Sequence, residues 1–220
     1  MLITFSGLDG AGKSTLIEWL RHTLEAENHR VAVFHMNDHV GVYAYLRATR
    51  DALRRLRGRH PGPASIPKPP SEALRSAPLI RRIRYALVWN KQLRRWIYPL
   101  DLLVFLAYRL YLEKAKKQIL IMDRYFYDTL VDVSDGRHWG WVRLLEKLTP
   151  TPHVPIYLDI TPEESYARKG EYSVEYLKRR RTAYRTVFPW VESGVTLVNR
   201  DIDASKAELR AIVQNRLGAA

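Results

Sequence analysis

Gly7-Leu8-Asp9-Gly10-Ala11-Gly12-Lys13-Ser14-Thr15 lies between a short apolar run, Leu2-Ile3-Thr4-Phe5, and a helical stretch from Leu16 to Glu27. Strand, glycine-rich turn and helix in that order leave few folds open. The turn fits G-x-x-x-x-G-K-S/T, a phosphate-cradling loop. Its glycines let the backbone fold tightly, so that several N–H groups point at one phosphate cluster. The helix that follows adds the positive end of its dipole. Gly7, Gly10, Ala11, Gly12, Lys13, Ser14 and Thr15 are therefore the expected cradle of ATP. Lys13 would reach the β- and γ-phosphates, and the Ser14 hydroxyl would sit on Mg²⁺.

The rest of the chain fits the same architecture. Val31 to Met36, Gln118 to Asp123, Pro155 to Ile160 and Thr196 to Asn199 read as four more buried strands. Thr161 caps a helix opening on Pro162-Glu163-Glu164, and Ser205 to Leu217 reads as a last helix. Strands alternating with helices imply an α/β fold, here a five-stranded parallel sheet with helices on both faces. Ligands of such sheets bind beyond the carboxyl ends of the strands. Asp9, Lys13 and Asp123 all fall near that edge.

Charge is unevenly placed. The formal net charge is +13, and fourteen basic residues against two acids fall between Arg47 and Leu100. Helices are expected over Val40 to Arg59, Leu79 to Trp96 and Leu100 to Lys116. Between His60 and Pro70 five prolines forbid regular structure. This basic helical and Pro-rich insertion, 47–99, reads as an insertion or acceptor-side subdomain within a single domain over 1–220. Residues 47–95 could meet an anionic membrane surface or a polyanion, or form a solvated excursion. The chain has no cysteine, so neither disulfides nor thiolate metal sites contribute. No apolar run is long enough to cross a membrane. The chain enters a core strand at once, so a cytoplasmic location is expected, with a peripheral membrane association left open.

Asp123-Arg124-Tyr125 is the second chemical signal. A carboxylate at a strand end can hold Mg²⁺ directly or through water, and an adjacent arginine can clamp a phosphate with its planar fork. His35, Asp38 and His39 could form a metal site, but without a fourth convergent ligand a polar loop is expected. A guanine-specific switch would want Asn-Lys-x-Asp; Asn90-Lys91-Gln92-Leu93 lacks the Asp.

With these residues in view, the chain resembles the thymidylate kinase family of P-loop nucleoside monophosphate kinases. The likeness rests on Phe5 to Thr15 with its internal Asp9, on Leu103 to Arg109, on Ile121 to Tyr125, on Ile156 to Glu163, and on the aromatic and basic stretch Tyr176 to Tyr184. The resemblance implies that Asp9 lies near the acceptor's sugar hydroxyl or phosphate. Arg124 would hold the acceptor phosphate, Arg109 would contact the acceptor, and Asp123 would organise Mg²⁺. Arg168 and Lys169 would belong to a short lid over 167–175 whose cations stabilise the transferring phosphoryl group. It implies a small-molecule phosphate acceptor and a homodimer. The chain also departs from the family. Met36-Asn37-Asp38-His39-Val40-Gly41 replaces an acidic-Pro-Gly turn, Asp132 stands where a Tyr packs on the deoxyribose, and Thr129 keeps a hydroxyl where the family has Ser. The donor machinery is intact and the acceptor is left open: dTMP, another nucleotide, a nucleoside, a sugar phosphate or a lipid-linked group.

Overall fold

The computed structural model describes residues 1–36, 55, 91–134, 139–199 and 201–218, with the backbone alone for 91–97 and 133. The expected helix over Val40 to Arg59, the Pro-rich stretch, Asp38, His39 and most of the basic segment lie outside the described residues. The chain divides into two compact units, Met1–Met36 with Ala107–Ala220, and Asn37–Leu106.

The first unit holds the sheet. Its strands are β1 (Leu2–Gly7), β2 (Val31–His35), β3 (Ile119–Asp123), β4 (Val154–Asp159) and β5 (Val195–Val198). All pair in parallel, in the order β2-β3-β1-β4-β5. Central β1 and its neighbour β4 are buried at all six of their positions. Strands covered on both faces read as continuous apolar runs rather than alternating ones, which is why they were legible in the sequence.

Helix α1 (Lys13–Ala26) leaves β1 through the glycine-rich turn and buries Leu16, Ile17, Leu20 and Leu24 at helical spacing. Helix α2 (Lys91–Leu110) continues through Pro99 and ends in a π-helical turn, Tyr111–Ala115. The expected break near Trp96 to Leu100 is therefore absent. Two helices with no counterpart in the sequence reading, α3 (Phe126–Val133) and α4 (Trp139–Leu148), fill the crossover from β3 to β4. Helix α5 (Pro162–Lys169) begins as expected: the Thr161 hydroxyl accepts from Glu164 N, and Glu164 reaches back to Thr161 N. It ends at Gly170 with φ 61°, a left-handed stop suited to glycine. Four residues later, α6 (Val174–Val187) opens on the Ser173 cap, and α7 (Ile202–Gly218) closes the fold. Among the described residues no helix is long and apolar enough to cross a membrane.

Candidate active site at the carboxyl edge of the sheet

Backbone geometry makes the loop. Gly7, Gly10 and Gly12 have φ values of 144°, 83° and 90°, which side-chain-bearing residues rarely adopt. A Cβ on Gly7 would come 2.6 Å from the Leu158 carbonyl oxygen, and one on Gly12 would collide with the Asn199 amide. The loop is braced from two other elements. Asn199, at the end of β5, donates to the Ala11 carbonyl at 2.7 Å. Ser165 of α5 donates to the Asp9 carbonyl at 2.6 Å, and Arg168 of the same helix donates to the Gly10 carbonyl at 3.2 Å. The structure thus brings Arg168 to the phosphate loop.

Lys13 is buried and its Nζ donates to the Gly7 and Leu8 carbonyls at 3.0 and 2.8 Å. Burial, then the neighbouring Arg124 charge, push this ammonium down to about 8. Ser14 and Thr15 stand exposed on the first turn of α1.

The second half of the site grows from the end of β3. Register sets His35, Asp123 and Phe5 side by side on β2, β3 and β1. His35 Nδ1 lies 3.1 Å from Asp123 Oδ2, while Asp123 Oδ1 is buried with no hydrogen-bond partner among the described residues. One carboxylate oxygen is thus held and the other left open, which suits a hard cation or its water. Mg²⁺ is commonly bound through one or two carboxylates plus substrate phosphates. Among the described residues no cluster of three or more His, Cys, Asp or Glu could hold a metal alone. The donor set fits a Mg²⁺ that arrives with a nucleotide.

The chain turns sharply after Asp123. Arg124 has φ 66°, the left-handed region, at a cost of about 1–2 kcal/mol for a residue with a Cβ. Its own N–H donates to the Phe5 carbonyl at 2.8 Å. From that turn its guanidinium reaches the Asp9 carboxylate in a close ion pair, with Asp128 4.0 Å away. Burial opposes ionisation of Asp9, but Arg124, Lys13 and Arg180 outweigh it and hold the carboxyl below its ordinary value. Burial and Arg180 likewise oppose the Arg124 charge; Tyr184, Asp9 and Asp128 prevail and raise its pKa.

Three contributors were not singled out in the sequence. Asp128 is buried beneath Arg124, accepting from Ser6 Oγ at 2.6 Å, Tyr125 N at 3.0 Å and Tyr184 OH at 2.5 Å. Arg180 Nη1 lies 2.6 Å from Asp132 Oδ1. Asp159, at the end of β4, takes Arg181 at 2.7 and 2.9 Å, Arg185 at 2.8 Å and the Tyr157 hydroxyl at 3.0 Å. Each of these acids interrupts or ends an apolar run, and that was the available signal. Asp132 is thus placed in an ion pair, and Thr129 lies half-buried on α3.

Arg109 is not brought to this site. Its Nε donates to Glu113 at 3.0 Å and its Nη2 lies 3.4 Å from His153 Nδ1. His153 Nδ1 accepts from Leu2 N at 2.9 Å, at the start of β1. The length of β1, six residues at about 3.3 Å each, separates that edge from the loop. The resemblance aligned Arg109 by its apolar helix; the helix places it at the opposite end of the sheet.

No protein-family model matches the chain. Among curated proteins it is similar to the thymidylate kinase of Chlorobium luteolum, 30% identical over 182 residues that cover 77% of this chain and 66% of that protein. It is 28% identical over 183 residues to the thymidylate kinase of Pelodictyon phaeoclathratiforme, covering 77% and 65%. A probable thymidylate kinase of Sulfolobus acidocaldarius is 40% identical over 79 residues, covering 33% and 41%. The chain thus spans between 41% and 66% of the length of these relatives. In sequence the chain is similar to these thymidylate kinases, and its parallel sheet and glycine-rich loop are those of a P-loop kinase fold.

Proposed function

We propose that the chain moves the γ-phosphate of ATP to a small acceptor, and that the acceptor is a nucleoside monophosphate such as dTMP. One observation carries this reading: the Asp9–Arg124 ion pair joins the phosphate loop to the end of β3. A donor cradle and a guanidinium suited to a second phosphate therefore adjoin. The names of the curated relatives support dTMP as the first acceptor to test.

The residues divide the work as phosphoryl transfer requires, by positioning and charge compensation. Loop N–H groups and Lys13 hold the triphosphate, whose anionic oxygens are stronger acceptors for Nζ than two neutral carbonyls. Arg124 holds the acceptor phosphate, and Asp9 keeps Arg124 aimed. An acceptor phosphate oxygen attacks the γ-phosphorus, the bond to the β-bridging oxygen breaks, and ADP leaves. Ser14 and Asp123 would hold Mg²⁺, which, when bound, neutralises charge on the phosphate oxygens. Arg168, held to the loop, places a further cation beside the transferring group.

The test is coupled ATP consumption against nucleoside monophosphates, nucleosides and sugar phosphates. ADP formation with dTMP, abolished in Lys13→Ala, is the expected result. Turnover retained in Lys13→Ala, or consumption stimulated by sugar phosphates alone, would sink it.

A further inference from the structure

Arg180 lies on α6, and only 10% of its side chain is exposed. One of its terminal nitrogens is fixed: Nη1 lies 2.6 Å from Asp132 Oδ1 in an ion pair and donates to the Tyr176 hydroxyl at 3.0 Å. Its guanidinium carbon stands 5.7 Å from the centre of the Tyr184 ring. Among the described residues the other two nitrogens, Nε and Nη2, are buried with no hydrogen-bond partner. A buried donor without an acceptor costs about 1–3 kcal/mol, so two on one group call for an explanation. These two form the side-on edge of the guanidinium, whose parallel N–H bonds match two oxygens of one phosphate.

The edge lies in the acceptor half of the site. Tyr184, beneath Arg180, donates its hydroxyl to Asp128 at 2.5 Å and lies 3.4 Å from the Gly7 carbonyl of the phosphate loop. Asp128 is also 4.0 Å from Arg124. The charge of Arg180 is felt at both Asp9 and Arg124. Two arginines, mostly covered, therefore flank one region, each anchored by its own carboxylate, Arg124 by Asp9 and Arg180 by Asp132. Repulsion between them opposes packing them together, and a dianion between them relieves it.

We infer that Arg180 is a second phosphate-binding residue of the acceptor site, presenting Nε and Nη2 as a bidentate fork beside Arg124. Asp132 and Tyr176 fix the angle of that fork. The ligand it selects is a phosphate monoester dianion, which sets a phosphorylated acceptor apart from a neutral nucleoside. The inference rests on the proposal that the acceptor lodges beside Arg124.

The experiment fills the donor loop with a non-hydrolysable ATP analogue and Mg²⁺. Inorganic phosphate, dTMP and thymidine are then titrated calorimetrically into wild type, Arg180→Gln, Arg180→Lys and the charge-neutral double variant Arg180→Gln/Asp132→Asn. The double variant leaves no carboxylate stranded, so it guards against loss of folding. Affinity for inorganic phosphate and dTMP is expected to fall at least about tenfold in both Gln variants, with partial recovery in Arg180→Lys and no change for thymidine. In turnover, the KM for the acceptor rises while that for ATP stays within about twofold. A folded double variant that binds phosphate as wild type does overturns the assignment and leaves Arg180 a structural ion pair. If wild type fails to bind dTMP but loses its phosphate affinity on Arg180→Gln, the dTMP reading fails and the fork stands. A loaded wild type that binds neither phosphate nor dTMP overturns both.

Discussion

The two edges of the sheet carry similar residues and use them differently. At the amino edge, Arg109 pairs with Glu113 one helical turn on, the N-terminal ammonium lies 3.4 Å from the same carboxylate, and His153 caps Leu2. That cluster ties the chain start to the end of α2. At the carboxyl edge the ion pairs span long sequence distances, Asp9 with Arg124 and Asp132 with Arg180. That edge also holds the left-handed Arg124 and the buried donors and acceptor of Arg180 and Asp123, which have no hydrogen-bond partners among the described residues. The amino edge has both features too, in the left-handed Lys117 and in Glu113 Oε1, but there they lie away from the phosphate loop. An arginine's role is thus set by the edge it occupies.

The strongest way to break this contrast is to exchange one arginine at each edge. Arg124→Gln is expected to lower kcat/KM for the acceptor by about 10²–10³, while Arg109→Gln changes it by less than about twofold. Steady-state kinetics of the two purified variants decide it; equal losses would erase the distinction. Arg109→Gln should instead cost about 1–3 kcal/mol of stability in denaturant unfolding, because Glu113 Oε2 loses the Arg109 N–H that bonds it.

The depressed Lys13 ammonium sharpens the picture by pH. Its free-state value of about 8 means that the cation needed for phosphate binding is lost as pH rises through 8. Affinity for ATP should then fall by about tenfold per unit above pH 8, since the phosphates are already fully ionised there. Lys13→Arg, charged throughout, should flatten that slope.

Asp159 supports the carboxyl edge through its bonds to Arg181, Arg185 and Tyr157. Burial opposes its ionisation, but the bonds from Arg181, Arg185 and Tyr157 hold it down to about 2. A carboxylate depressed on folding gives stability that is present above its ordinary value near 4 and lost as pH falls through 2. About 2 kcal/mol should therefore disappear on acidification from pH 4 to 2, and Asp159→Asn should remove that dependence in pH-resolved unfolding.

The smallest effect belongs to the amino edge. Burial, Arg109 and the N-terminal charge lower the His153 pKa against the pull of Glu113. Nδ1 must stay unprotonated to accept from Leu2 N. Its stabilisation is present above pH 6.5 and fades as pH falls through the lowered value. For so exposed a ring the effect stays below about 1 kcal/mol.

The glycine-rich loop was legible because it is local. Nine consecutive residues carry the loop, and a strand before and a helix after it follow from apolar patterning. The region around Arg124, the proposed acceptor half, was legible only at Asp123-Arg124. Asp128 looked like an ordinary polar position in a short apolar stretch, and its three hydrogen bonds come from β1, the turn after β3, and α6. Arg180 sits among three consecutive arginines, of which Arg179 is exposed and Arg181 serves Asp159. Helical rotation alone distinguishes them. Arg109 was misplaced because a likeness of helix sequence fixes neither the register nor the end of the sheet that the helix reaches.

The sequence by itself determined a parallel α/β sheet and a phosphate loop at its carboxyl edge. Those features depend on neighbours along the chain: apolar runs, glycine dihedrals and a helix start. Which charges meet was decided only by the tertiary structure. The partners of Asp9, Asp128 and Asp132 lie on other elements, and the energy of a buried ion pair or an unmet donor exists only once folding has removed water from around it.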